Sequence, residues 1–320
     1  MNFADKTIQK KGRLLLTFLL VSALTGAAVP QAHGGTLRFS DWSEPVNLGP
    51  VVNSSFDDNH PAISKDGLSL YFHSNRPGGF GGLDIWVSQR ASLDDPWGPP
   101  QNLGPPINTS GNDQVPFLSR DGHWLFFASD RPGGLGGPDL WVSRRTHKHD
   151  DFGWQPPVNL GPTVNSAFED NGANLFKDEC GTVVLYFTSN RPGGLGDHDI
   201  YESQQQDDGS FAPATLVPEL SSPQRDTRTA IRRDGLEMLL TSNRPGSQGL
   251  IDLWVATRAS TCDAWSTPVP LSPLVNSAAN DGAPALSFDG QTLFFYSNRP
   301  GGLGGNDLYM STRTRARGCR

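Results

Sequence analysis

The stretch Ser64–Trp86, SKDGLSLYFHSNRPGGFGGLDIW, contains an Asp-Gly turn, an aromatic-rich run, an Arg-Pro-Gly loop and a second apolar run. Its apolar runs are short, rich in aromatic and β-branched residues, and bounded by Gly, Pro, Asn and Asp, which reads as strands joined by tight turns. Leu70 and Phe72 alternate with Tyr71, so the first run is apolar on both faces and needs cover on both. Outward from this stretch the same unit recurs along the chain. The turn returns as Asp121-Gly122, Asp234-Gly235 and Asp289-Gly290, and the third copy has Asp178-Glu179-Cys180-Gly181 instead. The aromatic run returns as LFFASD, LYFTSN, LLTSN and FFYSN, and the closing run as DLWVS, DIYES, DLWVA and DLYMS.

Five aromatic anchors, Trp42, Trp97, Trp154, Phe211 and Trp265, lie 55, 57, 57 and 54 residues apart, and four of them open phrases such as WSEPVNLG and WQPPVNLG. A period near fifty residues with several strands per unit points to a solenoid or a propeller, and a β-helix would need a much shorter period. Proline is too frequent for helices to persist. The expected fold is therefore all-β: a five-bladed β-propeller over residues 41–320, four antiparallel strands per blade, with units starting near 42, 97, 154, 211 and 265. The chain runs out after a third strand near Thr312, so the strand from Trp42 to Leu48 is expected to complete the last blade and remove its open edge.

Ahead of the repeats, Lys6, Lys10, Lys11 and Arg13 precede an apolar run from Leu14 to Leu24 and small residues through Ala28. That order is expected to be a secretory signal peptide over 1–28, followed by a linker over 29–40. The run is too short to span about 30 Å of hydrocarbon, and no cysteine lies near the cleavage region. The expected setting is periplasmic or secreted, with no membrane span after cleavage and a monomeric product. The net charge of −7 leaves no basic stripe, which argues against nucleic acid. Gly 36 and Pro 26 recur at fixed positions and mark turns.

The unit S-x-D-G-x-x-L-x-F-x-S-N-R-P-G-G-x-G-G-x-D-I-W resembles the WD-repeat-like propeller repeat of the TolB type. The resemblance covers the five copies and implies a propeller in an exported or periplasmic setting. TolB's additional N-terminal domain has no counterpart here. The resemblance implies little about activity, because propellers host many functions.

Candidate site residues fall on the face that carries the long loops. Asp58, Asp113, Asp170, Asp226 and Asp281 stand in register before the innermost strands. They are candidates for a ring that binds a cation, an ammonium group or sugar hydroxyls; the alternative is that each caps its own loop. Repetition in every blade favours capping. Arg76, Arg131, Arg191, Arg244 and Arg299 each precede an aspartate eight residues on, namely Asp84, Asp139, Asp199, Asp252 and Asp307, and pairing across the Gly-rich loop is expected to pin it. Departures from the repeat, which the fold does not demand, are His60, Glu169, Asp197-His198, Arg225, Arg228 and Ser247-Gln248; of these His60, Glu169 and Arg228 could share one channel mouth. No nucleophile elbow, zinc motif, EF-hand or nucleotide loop occurs, so neither a catalytic residue nor a metal or other cofactor is expected.

The expected function is an exported, non-catalytic propeller module that engages a protein or a cell-envelope glycan through these loops. The alternatives are a glycosidase-like enzyme, which needs two carboxylates at a set separation, and a lectin with one site per blade. Of three cysteines, Cys180, Cys262 and Cys319, two readings stand: a 262–319 disulfide that ties down the chain end, or three unpaired thiols.

Overall fold

The computed structural model describes residues 39–178 and 181–316. It is an all-β ring of five four-stranded antiparallel blades. The innermost strands are β2 (Asp58–Ile63), β6 (Asp113–Leu118), β10 (Asp170–Lys177), β14 (Asp226–Ile231) and β18 (Asp281–Leu286). Each is followed by a middle strand, β3 (Ser69–Ser74), β7 (Trp124–Ser129), β11 (Val183–Ser189), β15 (Glu237–Ser242) or β19 (Thr292–Ser297). The third strands are β4 (Asp84–Gln89), β8 (Asp139–Arg144), β12 (Asp199–Gln204), β16 (Asp252–Thr257) and β20 (Asp307–Thr312). Short outer strands β5 (Gln101–Asn102), β9 (Val158–Asn159), β13 (Thr215–Leu216) and β17 (Val269–Pro270) complete four blades.

The fifth blade takes its outer strand from the start of the propeller. Strand β1 (Val46–Asn47) pairs with β20, Val46 opposite Met310 and Asn47 opposite Tyr309. Asn47 Nδ2 also reaches Asp307 Oδ2 at 2.8 Å. Leu70, Tyr71 and Phe72 of β3, like Leu125 and Phe127 of β7, are fully buried, because each middle strand is sandwiched between neighbouring blades.

The repeated loop residues form a network different from the expected one. Each Arg-Pro-Gly arginine pairs with the aspartate that opens the inner strand of its own blade, not with the one eight residues on. Arg131 Nη2 lies 2.6 Å from Asp113 Oδ1, Arg191 Nη2 2.5 Å from Asp170 Oδ1 and Arg299 Nη2 2.6 Å from Asp281 Oδ1, and Arg76 and Arg244 pair likewise with Asp58 and Asp226. The same arginines donate to the loop carbonyls of Val52, Ile107, Val164, Leu220 and Val275. Arg131 sits over the rings of Phe127 and Trp141 at 4.8 and 5.3 Å. The other carboxylate oxygen accepts from the loop; Asp113 Oδ2, for example, takes the Thr109 backbone N–H at 2.6 Å and its hydroxyl at 2.8 Å.

The five inner aspartates are wholly buried and fully used, so they cap their loops and present no ring of free carboxylates. Asp84 and its equivalents do a separate job. Asp84 Oδ2 accepts the Phe80 N–H at 2.8 Å, which folds the Gly-rich loop over it. Gly79 is required there, since a Cβ would lie 1.8 Å from that oxygen.

On the opposite, lower face a second repeated arginine, not singled out from the sequence, joins the Asp-Gly turn to the aromatic anchor. Arg90, Arg145, Arg258 and Arg313 donate from Nε to the carbonyls of Gly67, Gly122, Gly235 and Gly290. They stack on Trp97, Trp154, Trp265 and Trp42 at 4.2–4.5 Å. Blade three has Gln205 in this place, and it is the blade whose Asp-Gly turn is altered. Cys262 is exposed; Cys180 and Cys319 lie outside the described residues, as do the expected 262–319 bridge and the signal peptide.

Arg131→Ala leaves Asp113 buried and uncompensated, and should cost about 3–5 kcal/mol in chemical denaturation. Adding Asp113→Ala should recover part of that loss. Equal stability of the single variant and the parent would show that the pair does not hold the loop.

Candidate functional site

The inner strands expose one edge to a central channel. Pro61, Pro116 and Pro284 lie on that edge, where a missing N–H costs no ladder bond. At the third residue of every inner strand the register breaks: between Asn59 and Ala62, Gln114 and Phe117, Asn171 and Asn174, Thr227 and Ala230, and Gly282 and Ala285. The bulged residues are His60, Val115, Gly172, Arg228 and Ala283, with φ of 53°, 56°, 69°, 52° and 50°. Four of the five are not glycine, and left-handed backbone costs such residues of order 1–3 kcal/mol each. The surrounding structure holds them there. The N–H of Val115 donates to Nδ1 of His73 (3.1 Å), that of Arg228 to Thr188 Oγ1 (3.1 Å) and that of Ala283 to Thr241 Oγ1 (2.8 Å), each acceptor lying on the middle strand of the preceding blade.

The bulges therefore form a ring just inside the upper mouth, and two of its members carry polar chemistry. The His60 ring stacks on His73 with centroids 4.5 Å apart and lies 5.6 Å from Tyr296. Burial holds His60 well below the usual histidine range, reinforced by the positive charge of Arg228. Burial, again with Arg228, lowers His73 to about 3. Both imidazoles are neutral at physiological pH. Arg228 donates from Nη1 to Asn171 Oδ1 at 2.5 Å. Burial lowers its pKa to about 9, with Arg225 adding to the fall and Tyr296 and Glu169 opposing it. Burial raises Tyr296, and the two arginines oppose that.

The rim above holds Glu169, Asp197, His198 and Arg225. His198 is buried with its ring between two carboxylates, Nε2 at 3.2 Å from Glu169 Oε2 and Nδ1 at 3.0 Å from Asp197 Oδ2. Glu169 and Asp197 themselves are solvent-exposed. Arg225 Nε is 3.9 Å from Asp197. Other rim carboxylates are tied to backbone amides: Asp57 to Asn306 N at 3.0 Å and Asp130 to Asn112 N at 2.7 Å. Ser247 and Gln248 stay within the fourth Gly-rich loop, where Gln248 N–H caps onto Asp252.

Of the residues nominated from the sequence, His60, Glu169 and Arg228 gather at this mouth. Asp58, Asp113, Asp170, Asp226 and Asp281 do not, being consumed by the loop arginines. His73, Asn171 and Tyr296 were missed. For His73 and Tyr296 the signal was the spread of residue types at one middle-strand position, His73, Ala128, Thr188, Thr241 and Tyr296. For Asn171 it was the spread at the second inner-strand position, Asn59, Gln114, Asn171, Thr227 and Gly282.

Comparison with solved structures finds a similar architecture in several glycoside hydrolases. An alpha-L-arabinofuranosidase from Lactobacillus brevis has a TM-score of 0.59 at 15% identity, over 85% of this chain and 94% of that one. An alpha-L-arabinofuranosidase from Podospora anserina in complex with cellotriose gives 0.57 at 13% identity, over 87% and 98%. A GH43_1 enzyme from Xanthomonas citri complexed with xylose gives 0.55 at 15% identity, over 84% and 89%. No family model and no curated protein matches the sequence.

Two expectations change. The TolB-type resemblance is not supported: these similar solved structures are glycoside hydrolases, and at 13–15% identity what they share with this chain is the fold. The quoted motif misled because its Ser, Arg, Gly and Asp residues build the blade corner and so mark architecture, not lineage. The reading as a non-catalytic binding module is not supported either: the similar solved propellers include arabinofuranosidases and a family-43 glycoside hydrolase.

Below pH 6.5 the unfolded chain protonates His60 and His73 while the folded chain keeps them neutral. The unfolded state then binds more protons, and stability should fall by up to about 1.4 kcal/mol per pH unit for each histidine. His73→Thr keeps an acceptor for Val115 N–H, as Thr188 and Thr241 do in their blades. Urea denaturation at pH 7 and pH 5 should show a smaller acid loss in this variant than in the parent; equal losses would refute neutral burial of His73.

Proposed function

We propose that the protein is a carbohydrate-active enzyme that hydrolyses a glycosidic bond across the upper mouth, with Glu169 and Asp197 as its acid–base pair. The observation that carries this reading is the placement of two exposed carboxylates on either side of buried His198, beside a channel whose fold is shared with arabinofuranosidases. Two hydrogen bonds and an imidazole ring separate the carboxyl groups by on the order of 8 Å, inside the range of about 6.5–9.5 Å used by inverting glycosidases. In that chemistry one carboxylic acid protonates the glycosidic oxygen as the C–O bond breaks, while the other carboxylate takes a proton from the water that attacks the anomeric carbon from the opposite face. His198 fixes both side chains. Arg228 and Asn171 lie below them to orient the sugar. Export, expected from residues 1–28, would bring the enzyme to polymeric glycans.

Incubation with a panel of arabinan, xylan and pectic polysaccharides should release reducing sugar, with an anomer opposite in configuration to the bond cleaved. Glu169→Gln should lower kcat at least about 100-fold without changing Tm, as expected for loss of a general acid or base. Turnover unaffected by Glu169→Gln, or a panel without turnover, would contradict the assignment.

A further inference from the structure

Resting on the glycan reading above, we propose that the sugar recognised at the mouth is acidic: a uronic acid residue whose carboxylate binds Arg228.

The channel carries one sign of charge. Its lining includes Lys65, Arg120, Arg228 and Arg233 and no aspartate or glutamate among the described residues, in a chain whose net charge is −7. Arg228 stands near the upper end of the channel, and Lys65, Arg120 and Arg233 stand beside the Asp-Gly turns at its lower end. An anion that passes the rim carboxylates Glu169 and Asp197 therefore meets only cationic charges. The open space is about 110 Å³. That is room for a handful of waters or one small group of a ligand, not for an oligosaccharide, so a glycan lies across the mouth and inserts a substituent.

Arg228 is the group such a substituent would meet. It is recessed in the channel, its side-chain partner is the neutral amide of Asn171, and it forms no ion pair among the described residues. Every Arg-Pro-Gly arginine in the protein has a carboxylate within 2.6 Å. Arg228 is partly withdrawn from water and its nearest counter-charge, Glu169, is not in contact with it, so a carboxylate in forked contact with the guanidinium would relieve an unmet cost. Burial already weakens its hold on its proton, a rare condition for arginine.

The site is also built to receive it. Arg228 lies across Gly172 of the neighbouring blade, where a Cβ would stand 3.0 Å from Nη1 and 3.3 Å from Cδ. The backbone at Arg228 is left-handed, φ 52°, although Gly172 fills the same place in blade three. Arginine is thus kept in a position where glycine would be easier.

A sugar acid brings hydroxyl donors as well as a carboxylate. Asn59 Oδ1 and His60 Nδ1 are buried without hydrogen-bond partners among the described residues. Asn59 Oδ1 can only accept, and hydroxyls flanking a uronate carboxylate supply the donors.

Arg228→Gly separates the outcomes, because glycine adopts this backbone freely and the variant should fold. Calorimetry would compare acidic oligosaccharides (trigalacturonate and a glucuronosyl xylo-oligosaccharide), their methyl esters, and inorganic phosphate. The acid forms should bind the parent at least tenfold more tightly than the esters, with an advantage that shrinks as salt rises. Arg228→Gly should erase that advantage and raise Tm. Equal binding of acid and ester, or a preference surviving in Arg228→Gly, would overturn the uronate assignment while leaving the glycan reading in place. Binding of phosphate with no oligosaccharide bound in either form would overturn both, as would no binding at all. A lower Tm would show that Arg228 serves blade packing and overturn its role as a ligand.

Discussion

The buried Arg–Asp pair at the corner of each blade is the interaction on which the rest depends. Asp113 and its four equivalents are wholly desolvated, and each lies between a guanidinium and loop N–H or hydroxyl donors. Such a pair adds little net stability over a hydrophobic substitute, because two charges must leave water. What it contributes is position. One aspartate joins the loop before the inner strand to the loop after the middle strand, and so fixes where the inner strand begins. The bulge two residues later, and the side chain it turns into the channel, inherit that position.

This division explains why the site looks unlike the scaffold around it. The corner chemistry is the same five times, whereas the ring of bulges holds His60, Val115, Gly172, Arg228 and Ala283. Left-handed backbone at four non-glycine residues is strain that packing alone would not retain. Neighbouring blades supply an acceptor for three of the bulged N–H groups, from His73, Thr188 and Thr241. Blade four contributes Arg228 and Arg225 and blade three contributes Gly172, Asn171, Glu169, Asp197 and His198. The candidate site therefore centres on the junction of these two blades, with His60, His73 and Tyr296 of blades one and five beside it.

Much of the architecture is legible in the sequence because it is carried by local, repeated chemistry. The Asp-Gly turns, the two-faced apolar middle strands and the fifty-residue period each force a strand or a turn, and the offset of Trp42 from the last repeat forces closure through β1. The partner choice of Arg131 is not legible. Asp139 is closer in sequence, but the Gly-rich loop folds its own amides onto that carboxylate and leaves the arginine to reach back to Asp113. The bulges are hidden for a similar reason, since nothing local marks His60 or Arg228 as left-handed. Uniform motifs also say little of lineage: five copies of a corner sequence suggested TolB, whereas the same fold occurs in glycoside hydrolases at 13–15% identity. Blade three shows the converse, where loss of the lower-face arginine at Gln205 accompanies the altered turn at Asp178, and a larger cavity of about 820 Å³ opens beside Phe176 and Phe211.

We propose that a glycan is held across the upper mouth, at the junction of blades three and four. A crystal structure of the Glu169→Gln protein soaked with an acidic oligosaccharide tests it most directly. The account predicts sugar density across the mouth, with a carboxylate on Arg228 and a glycosidic oxygen between residue 169 and Asp197. Sugar density confined to the cavity beside Phe176 and Phe211, with the mouth free of sugar, would contradict it.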